Sequence, residues 1–364
     1  MKILYDHQIF TLQKYGGISR YFYELMKKFK TMNGVSFKTA LYVSNNYYIE
    51  DKHLIKHVRF LPNTEFKGKK KLMSLINKPK TLFELKRQNY DIFHVTYYDP
   101  YFLDYIGSKP FVLTVHDMIH EKFQEMGPSE ENIIDYKSLL VKKASKIIAV
   151  SESTKKDLIE YFGTDASKIE VVYHGSSMLP KRGIHIDTPT KYILFVGLRG
   201  GYKNFNRFIR SISTLLLDDR ELSVVCVGGG RFNLDEIEAF EYLGITSQLS
   251  QFDLNDDALA YMYQNASLFV FPSLYEGFGI PILEAYACEC PLVCSNTSAL
   301  PEIAGNGAYY FDPYSEESMK NAISRVLNDP DIQKTLVLEG TERLQHFSWE
   351  KAAFETQQVY ESLL

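Results

Sequence analysis

Short runs of β-branched and aromatic residues recur along the chain, and most of them end in glycine or in polar residues. Such runs predict buried strands of parallel sheets, joined by helices. The runs occupy residues 2–5, 91–95, 111–115, 146–150, 169–173, 192–197, 222–227 and 266–271. Strands that alternate with helices predict an α/β protein. Because a stretch without clear periodicity separates the fifth run from the sixth, we predict two Rossmann-like doubly wound parallel-sheet domains that face each other across a cleft.

The length of the chain supports this division, since 364 residues are too many for one ordinary core. We predict a first domain at residues 1–178, a proline-containing linker at 179–190 and a second domain at 191–346. A closing helix follows at 347–364, with Ser348 as its predicted N-cap and the single tryptophan, Trp349, as its buried anchor.

Composition excludes several classes of protein. No window approaches the run of about 20 apolar residues that spans a bilayer, and the start MKILYDHQ lacks the apolar core of a signal peptide. The four cysteines fit a reducing compartment and lack the spacing of a zinc site. No G-x-G-x-x-G follows a strand, which disfavours a dehydrogenase. We therefore expect a cytoplasmic protein with no nucleic-acid partner, either free in the cytoplasm or peripheral at the inner face of the cytoplasmic membrane.

Charge is distributed unevenly. Residues 1–180 hold 27 Lys and Arg against 20 Asp and Glu, whereas the remainder is strongly acidic. The segment Lys67–Lys80 contributes six lysines interspersed with apolar residues. This segment is equally consistent with a basic amphipathic helix on an anionic membrane and with a solvated helix that packs one apolar face.

One stretch, residues 271–291, joins a strand end, a glycine loop and two carboxylates: FPSLYEGFGIPILEAYACECP. Gly277 and Gly279 let the backbone approach a ligand, and Pro281 suits the start of a helix. Glu276 precedes the loop, and Glu284 is expected in the first helical turn. Either glutamate alone could be a turn cap or a partner of the helix dipole. Together they predict a site for neighbouring hydroxyls of a sugar or a ribose.

This stretch resembles the Glu-x7-Glu signature of the family 4 retaining glycosyltransferases, which share the two-domain GT-B architecture. The resemblance implies that Glu284 holds the ribose of the donor. It also implies that Glu276 and the amides of Gly277, Phe278 and Gly279 hold the donor sugar. In this architecture the final helix crosses back onto the first domain.

Two loops of the first half gain roles from the same resemblance. The pair Gly16 and Gly17, at a predicted strand-to-helix turn, would cover the donor diphosphate, with Arg20 on the acceptor side. His116 follows the predicted strand at 111–115 and would contact the transferred sugar. Asp117 beside it would orient the loop on the acceptor side, and His120 is a weaker candidate.

Two loops of the second half complete the predicted site. Arg199 and Lys203 follow the run at 192–197, where a basic pair is well placed to hold a diphosphate. The resemblance implies that both stabilise the departing nucleoside diphosphate and that the loop of Phe252 stacks on the base. Glu289 departs from the family pattern, because relatives carry glycine there. A positive φ tolerates glutamate poorly, so we expect a different local conformation.

The sequence thus predicts a retaining glycosyltransferase that uses a nucleotide sugar and neither a metal nor another cofactor. The motif style is similar to that of bacterial polysaccharide mannosyltransferases and favours GDP-mannose as donor and a glycan or lipid-linked glycan as acceptor. The alternatives are a nucleotide-sugar epimerase or hydrolase on the same fold and a non-catalytic carbohydrate-binding relative.

Overall fold

The structure is a computed structural model that describes residues 1–50, 53–123 and 132–364. These residues form two compact units. The first holds the described residues of 1–121, 129–174 and 349–364, and the second those of 122–128 and 175–348.

The first unit is built on a parallel sheet. Its strands among the described residues are β1 (Lys2–Tyr5), β2 (Ser36–Thr39), β3 (Ile92–Val95), β4 (Phe111–Val115), β5 (Lys146–Ala149) and β6 (Ile169–Val171). They lie in the order β2-β1-β3-β4-β5-β6, and every pair is parallel. The central strands β3 and β4 are buried along their whole length. Their burial and mostly apolar sequences are typical of parallel strands that helices cover on both faces.

Helices α1 to α6 of the chain are α1 (Gln8–Leu12), α2 (Gly17–Phe29), α3 (Lys69–Arg87), α4 (Ile119–Lys122), α5 (Ile133–Lys143) and α6 (Glu152–Phe162). Short 3₁₀ turns occupy Tyr47–Ile49 and Ala166–Lys168. Ser151 caps α6, because its side chain accepts a hydrogen bond from the Thr154 N–H.

The second unit is built on another parallel sheet. Its strands among the described residues are β7 (Lys191–Val196), β8 (Leu222–Val227), β9 (Leu249–Phe252), β10 (Leu268–Phe271), β11 (Leu292–Ser295) and β12 (Ala308–Phe311). The order is β12-β11-β10-β7-β8-β9, again with parallel pairs only. The predicted fold class, two doubly wound parallel-sheet domains, is therefore confirmed for each unit by itself.

The helices of the second unit cover both faces of this sheet in the usual crossover manner. They are α7 (Phe205–Asp218), α8 (Leu234–Leu243), α9 (Asp256–Asn265), α10 (Ile280–Ala287), α11 (Leu300–Ala304), α12 (Glu316–Leu327) and α13 (Pro330–Leu344). Short 3₁₀ turns occupy Gly201–Lys203, Thr246–Gln248 and Gly305–Gly307. No helix in the described part of the chain is long and apolar enough to cross a membrane.

The final helix, α14 (Trp349–Glu361), belongs to the first unit. Trp349 is buried in the core of that unit, as predicted, beside the ring of Tyr21. At the other end of α14, the Tyr360 hydroxyl contacts His94 Nδ1 at 2.6 Å and the Tyr5 hydroxyl at 2.8 Å. A buried hydroxyl with two partners fixes this helix on the sheet.

Candidate active site

The predicted donor residues of the second unit lie at the carboxyl ends of adjacent strands. Lys203 follows β7, the glycines 228–230 follow β8, Phe252 ends β9, and Glu276 follows β10. Because parallel strands end at one edge of the sheet, these four places come together although they are far apart in sequence. This edge is where open α/β sheets bind ligands.

Lys203 and Glu276 form an ion pair. Lys203 Nζ lies 2.6 Å from Glu276 Oε1, and the Ser273 hydroxyl donates to the same oxygen at 2.6 Å. Both charged side chains are mostly buried, with 14% and 12% of their surfaces exposed. The backbone N–H of Glu276 donates to Ser298 Oγ at 2.9 Å. The structure thus joins two side chains that the sequence analysis had assigned to neighbouring parts of one donor.

Asn204 locks the lysine loop onto the glutamate loop, a role that the sequence analysis missed. Its amide donates to the carbonyl oxygens of Pro272 and Pro313 at 3.0 and 2.9 Å. Its backbone is left-handed, with φ of 60°, a conformation that asparagine tolerates better than most residues. An asparagine between a strand and a helix was the available signal.

Arg199 is directed at the glycine loop. Its Nε donates to Glu236 Oε1 at 2.8 Å, and its terminal nitrogens donate to the carbonyl oxygens of Gly228, Gly230 and Arg231 at 2.9 Å each. The side chain is almost fully buried. As placed, the guanidinium holds the loop after β8 in position, and its predicted contact with phosphate would require some of these bonds to be exchanged.

The glycine loop before α10 has the geometry that its sequence suggests. Gly279 is the N-cap of α10 with φ of 102°, and a Cβ there would meet Ile282 and Leu300 side-chain atoms at 3.1 Å. The Phe278 side chain is buried, with its ring 6.0 Å from that of Phe347. The side chain of Phe278 therefore serves the core, and a ligand role for residues 277–279 would fall to their backbone amides.

Glu284 lies further along α10 than expected. The helix begins at Ile280, so Glu284 is its fifth residue and no acidic residue lies in the first turn. The prediction of a first-turn glutamate was wrong because the left-handed Gly279 starts the helix one residue before Pro281. Glu284 is buried and accepts a hydrogen bond from the Tyr263 hydroxyl at 3.3 Å.

The carboxylate of Asp256 interacts electrostatically with that of Glu284. Burial raises the pKa of Asp256, the first residue of α9, from 3.8 to about 6, and the charge of Glu284 adds to the shift. A carboxylate pair of this kind favours hydroxyl donors as ligands and repels phosphate. The arrangement therefore suits the ribose end of a nucleotide better than its diphosphate.

Phe252 is half-buried at the end of the edge strand β9, and its carbonyl accepts the Gly228 N–H at 3.0 Å. The end of β9 therefore lies beside the glycine loop that Arg199 holds.

In the first unit, the glycine pair begins α2. A Cβ on Gly16 would meet the Gln13 side chain at 2.6 Å, and Gln13 Oε1 accepts the Ser19 N–H at 3.0 Å. A side chain at position 16 would displace the Gln13 amide from its capping contact with the Ser19 N–H. Gly17 is the first helical residue, and Arg20 on the same helix is buried. Gln13 was missed, since nothing in its spacing distinguishes it as a cap.

His116 follows β4 and lies among aromatic rings, with centroid distances of 5.1 Å to Tyr21 and 6.1 Å to His174. Its Nε2 is buried without a hydrogen-bond partner in the described residues. Burial holds the pKa of His116 well below its usual value, and the neighbouring His174, His94 and Lys137 lower it further. His116 is therefore a neutral imidazole at physiological pH.

The loop after His116 is fixed by a lysine that the sequence analysis did not single out. Lys137 is fully buried, with Nζ 2.8 Å from Glu121 Oε2 and 3.1 Å from the Asp117 carbonyl oxygen. Asp117 Oδ1 accepts the Ile119 N–H at 3.1 Å, which turns the chain into α4. Both nitrogens of His120 are buried without a hydrogen-bond partner in the described residues.

The comparisons with known proteins agree with this geometry. Residues 15–176 match the family described as Glycosyltransferase Family 4, and residues 181–343 match the family described as Glycosyl transferases group 1. The chain belongs to glycosyltransferase family 4. This glycosyltransferase has no group of three or more His, Cys, Asp or Glu side chains arranged to hold a metal ion among the residues described.

Relatives of this glycosyltransferase include enzymes of O-antigen assembly. The O-antigen chain mannosyltransferase B of Escherichia coli is 27% identical over 275 residues, which cover 69% of this chain and 70% of the relative. The O-antigen chain mannosyltransferase RfbU of Salmonella typhimurium is 29% identical over 196 residues, 52% of this chain and 53% of the relative.

A solved structure of sucrose-phosphate synthase from Thermosynechococcus elongatus has the same GT-B fold. Its TM-score to this glycosyltransferase is 0.77 at 20% identity, and the match covers 100% of this chain and 99% of the other. Anabaena Alr3699/HepE in complex with UDP and glucose gives a TM-score of 0.76 at 18% identity, with 100% of both chains covered.

Proposed function

We propose that the protein is a retaining glycosyltransferase that moves a sugar from a nucleotide sugar to a glycan or lipid-linked glycan, without a bound metal or other cofactor. GDP-mannose is the first candidate donor. The observation that carries the proposal is the Lys203–Glu276 pair at the carboxyl edge of the second sheet. There a cation lies 2.6 Å from a carboxylate that can accept hydrogen bonds from sugar hydroxyls.

The chemistry needs both charges. When the bond between the anomeric carbon and the phosphate oxygen breaks, negative charge develops on the departing diphosphate, and a fixed cation stabilises it. Lys203 supplies that cation, while Glu276 accepts hydrogen bonds from the sugar hydroxyls. Each side chain holds the other in the structure, and in the proposed reaction each exchanges its partner for the donor.

Arg199 contributes by positioning the glycine loop after β8. Its bonds to Glu236 and to three carbonyl oxygens set the glycine loop after β8, beside Phe252 and its predicted contact with the base. We therefore assign the cation that faces the leaving group to Lys203, and we assign to Arg199 the support of the loop.

The step balances without an added co-reactant. The acceptor hydroxyl oxygen bonds to the anomeric carbon as the phosphate leaves, and its proton passes to the leaving diphosphate. Retention of the anomeric configuration is the outcome expected from the family resemblance, with attack on the same face as departure.

The mannosyltransferase names of the relatives support mannose as the sugar. The solved structure with UDP and glucose makes UDP-glucose the proper comparator. Such donors are found in the cytoplasm, where we place the reaction.

The test is an assay of the purified protein with GDP-mannose or UDP-glucose, with and without methyl α-mannoside as acceptor, each in the presence and absence of EDTA. We expect release of GDP only with acceptor present, no effect of EDTA, and a product whose NMR spectrum shows the anomeric configuration of the donor. Equal donor consumption without acceptor would favour the epimerase or hydrolase alternative. Calorimetry that detects no binding of either nucleoside diphosphate would favour a non-catalytic relative.

Helix α3 supports a lipid-linked acceptor. Its buried residues, among them Met73, Asn77 and Leu85, face the unit, whereas Leu75 and Phe83 are 62% and 57% exposed. Lys70 and Lys71 are exposed on the same helix, and apolar residues beside lysines fit an anionic membrane surface.

Two of the six lysines form hydrogen bonds within the protein and are therefore less available to a membrane. Lys69 is buried and donates to the carbonyl oxygens of Leu61 and Thr64 at 2.9 and 2.7 Å, and Lys80 donates to the Leu41 carbonyl oxygen at 2.9 Å. Sedimentation with anionic liposomes should therefore fall on neutralising Lys70 and Lys71 together with Leu75→Ser. Unchanged sedimentation would remove the membrane contact from the proposal.

A further inference from the structure

A chain of hydrogen-bonded side chains runs through the core of the first unit and ends at the ring against which His116 packs. It joins three neighbouring strands of the sheet, β1, β3 and β4, to helices α2 and α14. No sequence motif pointed to any of its members. They are Tyr5, Tyr360, His94, Thr114, Tyr21 and Thr356, and each is at most 3% exposed.

His94 occupies the middle of this chain, with a partner on each of its two ring nitrogens. Its Nδ1 lies 2.6 Å from the Tyr360 hydroxyl, which lies 2.8 Å from the Tyr5 hydroxyl. Its Nε2 lies 2.9 Å from Thr114 Oγ1, which lies 3.2 Å from the Tyr21 hydroxyl. Burial lowers the pKa of His94 to about 3, so the ring is neutral at physiological pH and has one donor nitrogen and one acceptor nitrogen.

The far end of the chain determines the direction of its protons. The Thr356 hydroxyl donates to the Ala352 carbonyl oxygen at 2.7 Å, so Thr356 Oγ1 is the acceptor in its hydrogen bond with the Tyr21 hydroxyl. Because Tyr21 gives its single proton to Thr356, its oxygen accepts the proton of Thr114. Thr114 Oγ1 in turn accepts from His94 Nε2.

This direction assigns the tautomer of His94. The proton of the neutral ring is on Nε2, and Nδ1 accepts the proton of Tyr360, whose oxygen accepts that of Tyr5. Without the Tyr360 hydroxyl, Nδ1 would lose its only donor among the residues described. Nothing would then favour this tautomer over the other, which reverses the hydroxyls of Thr114 and Tyr21.

The chain reaches His116 through the ring of Tyr21. The centroids of these two rings are 5.1 Å apart and their planes meet at 80°, an edge-to-face contact. The ring of Phe22 lies near both histidines, with its centroid 5.2 Å from that of His94 and 6.0 Å from that of His116. A change in the orientation of Tyr21 or His94 would therefore change the surroundings of the His116 imidazole.

Helix α14 holds Tyr21 at three places along one face. Trp349, Thr356 and Tyr360 are seven and four residues apart, which places them on the same side of a helix. The Trp349 ring lies 6.2 Å from that of Tyr21, Thr356 accepts the proton of Tyr21, and Tyr360 reaches it through His94. The orientation of Tyr21 therefore depends on the docking of α14.

An apolar face would be sufficient to dock this helix. Buried hydroxyl groups are costly unless each has a partner, and apolar side chains of similar shape pack without that requirement. A fully paired network adds a single arrangement of its members, whereas apolar cores tolerate alternatives. The hydrogen bonds are therefore better explained by a need to orient a side chain than by a need for stability.

We propose that Tyr360, His94 and Thr356 are positioning residues for His116, which fix the ring of Tyr21 and with it the imidazole that is predicted to contact the transferred sugar. The proposal rests on the proposed function for the role of His116 in transfer, whereas the contacts themselves do not depend on that role. Helix α14 is then required for the order of the candidate active site as well as for the fold of the first unit.

The test compares two variants of the full-length protein that each remove one buried hydroxyl and keep the ring. Tyr360→Phe removes the donor to His94 Nδ1, whereas Tyr5→Phe removes only the donor to Tyr360 and leaves the rest of the chain intact. Both should lower the thermal midpoint to a similar extent. Only Tyr360→Phe should shift the NMR resonances of His116, recorded with isotope-labelled histidine and assigned with His116→Gln.

Turnover gives the second measurement. With GDP-mannose and methyl α-mannoside, Tyr360→Phe should lower kcat about tenfold and leave KM for GDP-mannose within about twofold, as expected for one lost hydrogen bond that acts in the transition state. Tyr5→Phe should match the wild type. So should Tyr90→Phe, which removes a buried hydroxyl that contacts Gln88 outside the chain.

A double variant tests whether the two ends of the chain act together. Thr356→Val removes the acceptor of the Tyr21 proton and should lower kcat in the same direction. The loss in Tyr360→Phe/Thr356→Val should be smaller than the product of the two single losses, because both act through Tyr21. If circular dichroism shows that Tyr360→Phe fails to fold, the kcat and the His116 resonances of Thr356→Val decide.

The outcomes separate this inference from the proposed function. His116 resonances that are the same in Tyr360→Phe and Tyr5→Phe would overturn the inference, and so would shifted resonances with unchanged turnover. A double variant whose loss equals the product of the single losses would also overturn it. Absence of transfer in the wild type would overturn the transferase proposal, and the His116 resonances would then decide the inference alone.

Discussion

Each unit contains a short Lys–Glu pair whose two side chains are mostly or fully buried, and these two pairs differ in their surroundings. Lys137 and Glu121 in the first unit are 0% and 2% exposed, and Lys137 also donates to the Asp117 carbonyl oxygen. Lys203 and Glu276 in the second unit are partly exposed at a strand end, next to a glycine loop. The distances are similar, 2.8 and 2.6 Å. The first pair cannot exchange partners without leaving a buried charge, whereas the second can pass both of its charges to a ligand.

The largest expected effect comes from breaking the buried pair. Lys137→Met leaves Glu121 charged and uncompensated, and the free energy of unfolding should fall by about 3–5 kcal/mol. The double variant Lys137→Met/Glu121→Gln should recover part of this loss, because no buried charge remains. Urea denaturation measures both.

The control is Lys156→Met, which breaks an exposed pair with Glu160 on α6 and should cost less than about 1 kcal/mol. A loss of that size in Lys137→Met as well would mean that the buried pair does not hold the loop after His116.

Breaking the Lys203–Glu276 pair, which can exchange its partners for a ligand, should affect activity far more than stability. Lys203→Met removes the cation at the leaving diphosphate, and turnover should fall by about 10²–10³-fold. The thermal midpoint should change little. Lys191→Met, which breaks the exposed pair with Asp219 in the same unit, should leave turnover unchanged. A loss of stability that accounts for the loss of turnover would place Lys203 with the structural pairs.

The two glutamates of the loop should separate binding from transfer. Glu276→Ala should abolish transfer and leave the affinity for GDP within about twofold, since Glu276 is assigned to the sugar. Glu284→Ala should weaken GDP binding by about tenfold, the equivalent of one lost hydrogen bond to a charged group. Calorimetry measures both affinities. Equal effects on GDP affinity would contradict this division of roles.

The sequence was sufficient for most of the buried strands, but the predicted runs did not include β11, which is buried along its whole length, or the edge strands β2, β9 and β12. Strands β3, β4, β8 and β10 are mostly apolar and almost fully buried, as the strands of a doubly covered parallel sheet are, and their polar residues are His94, Thr114 and Ser223. The edge strand β2 alternates between exposed and half-buried residues, and β12 is buried only at its two ends. Their short patterns do not differ from those of a loop, so neither was predicted.

Within the candidate site, the sequence motifs predicted individual residues, whereas the contacts between those residues depend on the tertiary structure. Glu276 and Lys203 each followed a predicted strand, but they are 73 residues apart, and no spacing rule predicts their contact. Likewise, the hydrogen-bond chain from Tyr360 to Tyr21 joins residues of two helices and two strands, which no local pattern brings together.

The pH dependence of stability tests the carboxylates at the predicted ribose end. The raised pKa of Asp256, about 6, means that the folded state binds its proton more tightly than the unfolded state does. The contribution of this group to stability therefore falls as the pH rises from about 4 to about 6. Asp256→Asn removes the penalty and should be more stable than the wild type at pH 7.5, by about 1 kcal/mol after allowance for solvent screening.

The gap between Asp256→Asn and the wild type should close near pH 4 in thermal melts. Asp235→Asn, an exposed aspartate in the first turn of α8, controls for the lost interaction with a helix dipole and should show no such gap. A difference in stability that persists at pH 4 would show that it does not arise from the charge of Asp256 near Glu284.

The smallest expected effect concerns the turn after α10, where the family resemblance led us to expect glycine. Glu289 keeps the left-handed conformation, with φ of 54°, so the expectation of a different local conformation was wrong. The surrounding turn imposes it, because the Cys290 N–H donates to the Ala285 carbonyl oxygen at 2.9 Å. A left-handed non-glycine residue costs about 1–2 kcal/mol, and glycine loses about 0.5–1 kcal/mol more chain entropy on folding. Glu289→Gly should therefore stabilise the protein by about 0.5–1 kcal/mol.

Asn204→Gly provides the opposite case for a left-handed residue in the same unit. Its φ is 60°, but its amide bonds the Pro272 and Pro313 carbonyl oxygens, so the same substitution should destabilise. Urea denaturation of both variants measures the sign. Stabilisation by both substitutions would show that the Asn204 amide does not hold the Lys203 loop against that of Glu276.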